Sequence, residues 1–225
     1  MTQPGARAVV LLLSALARPA AAHLPFIHPQ LVDLVQRSEV ILIGTVTKLT
    51  TVSPSLCDTT VTVSEVLVGR LPEKQLAIRG PRGLAPDERY VLFVHRSRQS
   101  FESTAPSGTI FPAPPADDAR YRSTIRALAA ALHTDPAGRP AAFRAALVPA
   151  LSAAAAPLRY HAALELLRLA HDGHGPTEAE RLQLSRLLAA PGTDPALRPL
   201  LSSLVREPPG LPRPSGTATL KPPGG

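Results

Sequence analysis

Two hydrophobic rhythms divide the chain. From Pro29 to about Phe111 apolar residues come in short runs and alternations, which predict strands; beyond Pro115 they recur every three to four positions, which predicts helices. The first part opens with a short helix, Pro29–Arg37, carrying Leu31, Leu34 and Val35 on one face, with proline suited to the first turn. Glu39–Leu49 (EVILIGTVTKL) is an apolar run followed by alternation, and Gly44 marks a bend or bulge in it. Thr59–Val68 alternates strictly enough to put Val61, Val63 and Val66 on one side, and Gly69 and Pro72 close that hairpin. Gln75–Arg79 and Arg89–His95 read as further strands around the turn-rich loop Gly80–Glu88, and Ser100–Ala105 and Thr109–Phe111 as edge strands.

Pro112-Ala113-Pro114-Pro115 has neither rhythm and reads as a stiff linker. After it, Asp117–His133 places Tyr121, Ile125, Leu128 and Leu132 on one stripe, with acids at its N-terminus. Pro140–Ser152 is a second helix in which Pro149 introduces a kink. Pro157–Ala170 carries the clearest stripe, Leu158, Ala162, Leu166 and Leu169. Thr177-Glu178-Ala179-Glu180 is a capping box for Ala179–Ala189, and Asp194 starts a last helix to Val205. No strict repeat period is visible. The fold class expected is α+β in two parts: a small antiparallel β-barrel over 23–111, a linker at 112–116, and a helical bundle or short solenoid over 117–206. Residues 207–225, rich in Pro and Gly, offer nothing to bury and read as a disordered tail.

Composition adds location. Arg7, the apolar stretch Ala8–Ala17, Pro19 and Ala20-Ala21-Ala22 form a signal-peptide pattern over 1–22. The apolar stretch is too short to span a bilayer, so the expectation is an exported, periplasmic or extracellular protein without a transmembrane anchor. The formal charge of +7 falls to +5 when Arg7 and Arg18 leave with the signal. The remaining arginines are scattered and aromatics make up only 4 % of the chain, which argues against a nucleic-acid surface and leaves loose attraction to anionic envelope polymers. Cys57 is the only cysteine, so no internal disulfide is available and stability rests on packing.

Candidate chemistry is sparse. Cleavage after Ala22 would expose His23, whose α-amine and ring nitrogen chelate a metal, with His28 five positions on. His171-Asp172-Gly173-His174 spaces two imidazoles as a metal pair would, with His161 upstream, but its glycines equally fit a helix C-terminus. Asp87 and Glu88 are adjacent on a turn and point apart, which does not suit acid–base work. Glu65 is the one charge in an alternating strand and is expected to face solvent or meet an arginine such as Arg89. No phosphate loop, nucleophile elbow or His-Glu-x-x-His is present. No catalytic residue and no cofactor is assigned.

Ser38-Glu39, Gly44-Thr45-Val46, Glu65-Val66-Leu67-Val68-Gly69 and Glu88-Arg89-Tyr90-Val91-Leu92-Phe93 resemble a domain common in exported bacterial proteins of unassigned role, in which Asp87 stands where the pattern prefers Gly. Such domains are similar to the OB-type barrels of tissue inhibitors of metalloproteinases. That resemblance, over residues 30–111, implies an OB-like barrel, and its motifs concern bends and core positions. The inhibitors place a mature N-terminal residue on a protease zinc, a role that would fall to His23. The segment Leu147–Ala170, helix–turn–helix with Arg159 early in the second helix, weakly resembles HEAT-like repeats. The expectation is a non-enzymatic binding or structural protein of the cell envelope, its partner a protein or envelope polymer. Recognition would fall on loops Gly80–Glu88 and His95–Ser107. The alternative is a metal-binding protein, metalloenzyme or metalloprotease inhibitor built on His23.

Overall fold

A computed structural model describes residues 30–54, 56–81, 83–98, 100–105 and 110–206. The signal pattern, His23, His28 and the tail 207–225 lie outside the described residues. Among these, helix α1 is Leu31–Arg37, and the strands are β1 (Val40–Ser53), β2 (Leu56–Val68), β3 (Gln75–Pro81), β4 (Arg89–Ser97), β5 (Ser100–Ser103) and β6 (Phe111–Pro112). The helices that follow are α2 (Asp118–Leu132), α3 (Arg139–Ala150), α4 (Ala156–His171), α5 (Glu178–Ala189) and α6 (Arg198–Val205), with a 3-10 turn at Pro115–Asp117.

Strands β1, β2, β3, β5 and β4 pair in that order, and β4 returns to β1, so the sheet closes into a five-stranded barrel. The barrel is mixed where the sequence predicts antiparallel pairing throughout: β3 and β5 run parallel, Ile78 beside Phe101 and Arg79 beside Glu102. The chain leaves β3, adds β4 against β1, then hairpins into β5, which reaches β3 pointing the same way. β1 and β2 are longer than their apolar cores predict, because Thr47–Ser53 and Leu56–Thr60 continue as a paired arm.

The apolar run in β1 reflects burial on both faces. Val40, Leu42 and Val46 fill the barrel together with Val61, Leu76, Ile78, Tyr90, Val94 and Phe101. Ile41 and Ile43 point outwards into a second core with Phe93, Phe111 and the apolar stripes of the helices. Val63 and Val66 both pack on the barrel interior as expected, because Ser64 is left unpaired at a register shift between them, while Leu67 faces the helices across a second shift. Phe111 and Ala113, at the start of the Pro-rich connection, are buried in that shared core. Ala113 donates its N–H to Arg89 at 2.8 Å, and Tyr121 donates its hydroxyl to the Pro112 carbonyl at 2.9 Å. Burial, with the Asp117 charge adding, pushes the Tyr121 hydroxyl well above its ordinary pKa.

Ion pairs orient helix α2 on the barrel. Glu65 does not meet Arg89; it accepts a bidentate pair from Arg122 at 2.7 Å and a further contact from Arg126 at 3.3 Å. Arg89 turns instead to Asp118, at 2.7 Å through its second nitrogen. Strict alternation from Val61 and Val63 would turn Glu65 inward; the register shift between Ile43 and Gly44, which leaves Ser64 unpaired, turns it outward to the arginines of α2. Deeper in the layer, the buried Glu165 of α4 accepts the Val32 N–H at 2.9 Å and so caps α1, whose own Gln30 makes no side-chain cap.

These two carboxylates titrate in opposite directions. The Arg122 hydrogen bond, aided by the nearby arginine charges, holds Glu65 below its usual 4.5. Burial, opposed by the Val32 N–H and Arg168, raises Glu165 above it. Glu65 therefore stabilises the fold above pH 4.5, and this is lost as pH falls through its lower folded value. Glu165 binds its proton more tightly folded than unfolded, so its contribution falls as pH rises from 4.5 through its higher folded value. Denaturant titrations across the acid range are expected to show the first dependence missing in Glu65→Gln and the second missing in Glu165→Gln.

In the helical layer α2 packs on α3, α3 on α4, and α4 and α5 on α6. A seven-residue motif, Thr-Asp-Pro-Ala-x-Arg-Pro, occurs at 134–140 and again at 193–199, each time leading into a helix. Both copies fold alike. The arginine N–H donates to the aspartate carbonyl, at 3.1 Å for Arg139 and 3.2 Å for Arg198. Its guanidinium donates to the threonine carbonyl, at 3.1 Å and 3.3 Å respectively.

Candidate functional site

A small cavity lies at the end of the barrel where β3 and β5 finish. Thr59 of β2 shares the inward phase of Val61 and lies beside Ile78 of β3. Gly80 follows two positions after Ile78 and contributes no side chain; a methyl there would stand 3.0 Å from Ser103 of β5. A cavity of about 20 Å³ remains, walled by Val91, Phe93, Val94 and Ala105 and covered by Leu84 and Ile110. That is room for one water-sized group. Thr59 is one of the residues lining this space; it is 2 % exposed, and its buried hydroxyl has no hydrogen-bond partner among the described residues.

The two loops expected to carry recognition meet here. Leu84 comes from the segment 83–88 and Ala105 from the strand end after β5. Tyr90, inside the barrel, accepts the Ala85 N–H at 3.0 Å and anchors the first loop. Asp87 adopts a positive φ of 64°, a conformation that glycine takes without strain and aspartate is among the few other residues to tolerate. Its N–H donates to the Val46 carbonyl at 2.8 Å, extending the β1–β4 ladder. Asp87 and Glu88 are exposed, and Arg89 points away towards Asp118. On the outer wall His95 approaches Thr104 at 3.3 Å and Glu102 at 3.9 Å; on the opposite face of the same strand Arg96 stacks over Phe101.

The histidines are dispersed. His171 is the last residue of α4 and His174 follows its end; both are exposed. Gly173, at φ 83°, donates its N–H to Ala170 at 3.1 Å, and His174 donates to Leu169 at 2.7 Å. This is the double hydrogen bond of a Schellman helix end. Asp172, between the histidines, is held by Arg168 at 3.3 Å. His161 is buried on another face of α4, against Phe111 at 4.8 Å. Among the described residues no group of three His, Cys, Asp or Glu side chains is placed to hold a metal ion, and no helix is long and apolar enough to cross a membrane. Cys57 is buried in the barrel wall beside Gly80.

Thr59 is the residue that motif reading passes over. Its signal is present in the sequence: it is a hydroxyl in phase with Val61 and Val63. What the phase leaves open is whether anything satisfies it. No protein-family model matches the chain, and no curated protein shows significant similarity to it.

Proposed function

We propose that the chain is an exported, non-enzymatic binding protein of the bacterial cell envelope, built on an OB-like barrel that engages its partner at the Thr59 end. The observation that carries this reading is the buried, unpartnered hydroxyl of Thr59, a residue that lines an apolar cavity between two loops. An unsatisfied buried hydroxyl costs about 1–3 kcal/mol, a cost that a ligand group placed in the cavity offsets. Leu84 and Ile110, both partly exposed, are the side chains such a group displaces or packs on. The ion-paired helices hold the barrel rigid while its loops do the recognising. The signal pattern over 1–22 supports export, and the terminus that purified mature protein presents in mass spectrometry tests it.

A photocrosslinking residue at Leu84, in cells exporting the full chain, is expected to give a discrete adduct, with none from Leu182, an exposed position on α5. Equal labelling at both, or none at Leu84, would overturn the reading. Thr59→Val separates binding from folding. It is expected to raise stability by about 1 kcal/mol, since the orphaned hydroxyl disappears, while weakening the Leu84 adduct. A Thr59→Val protein less stable than wild type would mean that the hydroxyl is satisfied within the fold.

A further inference from the structure

We propose that the groove where α4 and α6 end is an oxyanion site, binding a carboxylate or phosphate group. The groove measures about 520 Å³, and His171, Arg181 and Arg206 line it together, with Gly173 and Gly175 keeping one wall open. The three basic side chains come from the end of α4, from α5 and from the end of α6. This site is separate from the barrel mouth and does not depend on that reading.

Neighbouring arginines are already neutralised. Arg144 pairs with Glu180 at 3.2 Å, Arg159 with Asp194 at 3.4 Å, and Arg168 with Glu165 and Asp172 at 3.1 and 3.3 Å. Of the acids on α4, at its end and on α5, Glu165, Asp172 and Glu180 are engaged by these pairs, and Glu178 is exposed in the first turn of α5. Among the described residues no acid pairs with Arg181 or Arg206. Two helix C-termini face the groove, and each carries a partial negative charge of about half a unit. Their carbonyls are partly occupied: Gly173 and His174 cap α4, and the Arg206 N–H donates to Ser202 at 3.2 Å. Two permanent guanidinium charges outweigh what is left of those dipoles, so the groove is positive before His171 is counted.

The same charges decide between the two chemistries open to His171. A metal cation there would face Arg181 and Arg206 across one groove, whereas an oxyanion is attracted by both and accepts their fork of N–H donors. A volume of 520 Å³ exceeds a free anion and admits the sugar or peptide unit that bears it.

The test is an NMR titration of the full chain with inorganic phosphate, and separately with acetate, at constant ionic strength maintained with chloride. Saturable shifts are expected at residues 171–175, 181 and 206, and the anion that saturates at lower concentration identifies the group bound. Arg181→Gln is expected to weaken binding at least about tenfold, the loss of one charge-assisted hydrogen-bond pair. Arg186→Gln, which removes an exposed arginine of α5 outside the groove, is expected to leave it unchanged. Shifts that grow without saturating, or an equal loss in both variants, would overturn the assignment.

Discussion

One methyl group added at Gly69 is expected to lower stability by about 3 kcal/mol or more. Gly69 ends β2 with φ 85°, in the left-handed region where a side chain costs about 1–2 kcal/mol. The added carbon would also stand 2.2 Å from the Glu39 carbonyl oxygen and 3.2 Å from the Val40 Cα. Those are backbone atoms where β1 begins, with Val40 paired to Val94 of β4, so they cannot rotate away as a side-chain tip does. Gly173→Ala supplies the comparison. Its φ is 83°, but nothing lies within 4 Å of the added carbon, so only the same conformational cost of about 1–2 kcal/mol applies. Urea denaturation of both variants separates the two terms. Equal losses would show that the close approach of β2 to β1 contributes nothing.

Removing the Asp117 carboxylate is the second large effect. Asp117 is 3 % exposed, and its two oxygens accept the N–H groups of Ala154 at 2.9 Å and Ala155 at 2.6 Å. Those donors belong to the turn that starts α4, so a residue at the start of α2 fixes where α4 begins. Asp117→Ala leaves both donors without an acceptor, at about 1–3 kcal/mol each. The expected loss is about 3 kcal/mol, moderated by water reaching the site from the adjoining surface hollow. Asp117→Asn retains one acceptor oxygen and should lose less than half as much. Hydrogen exchange at Ala154 and Ala155 provides the local readout: both amides should exchange faster in the alanine variant, and only one in the asparagine variant. Equal destabilisation by the two substitutions would contradict this account.

Much of the fold is legible residue by residue. The alternation of Val61 and Val63 and the stripe Leu158, Ala162, Leu166 and Leu169 are local consequences of strand and helix geometry, and these side chains pack on the faces so predicted. The Thr177–Glu180 capping box forms, with Thr177 and Glu180 each accepting the other's N–H. The candidate site is less legible. A threonine in phase with valines marks position 59, but the missing partner and the space above Gly80 depend on β5 arriving beside β3. His171 reads as half of a metal pair until α5 and α6 bring Arg181 and Arg206 to the same groove.

The elements, their buried faces and their end signals are legible in the residues alone, because each follows from interactions within a few positions. The tertiary structure decided which element each face meets. It closed the barrel through a parallel β3–β5 pair, sent Glu65 to Arg122 and not to Arg89, and gave α1 a cap from Glu165, a residue 133 positions away. These choices depend on distances between segments remote in the chain. Residue type and spacing fix a side chain's direction and chemistry, but only the packed core fixes what stands opposite it.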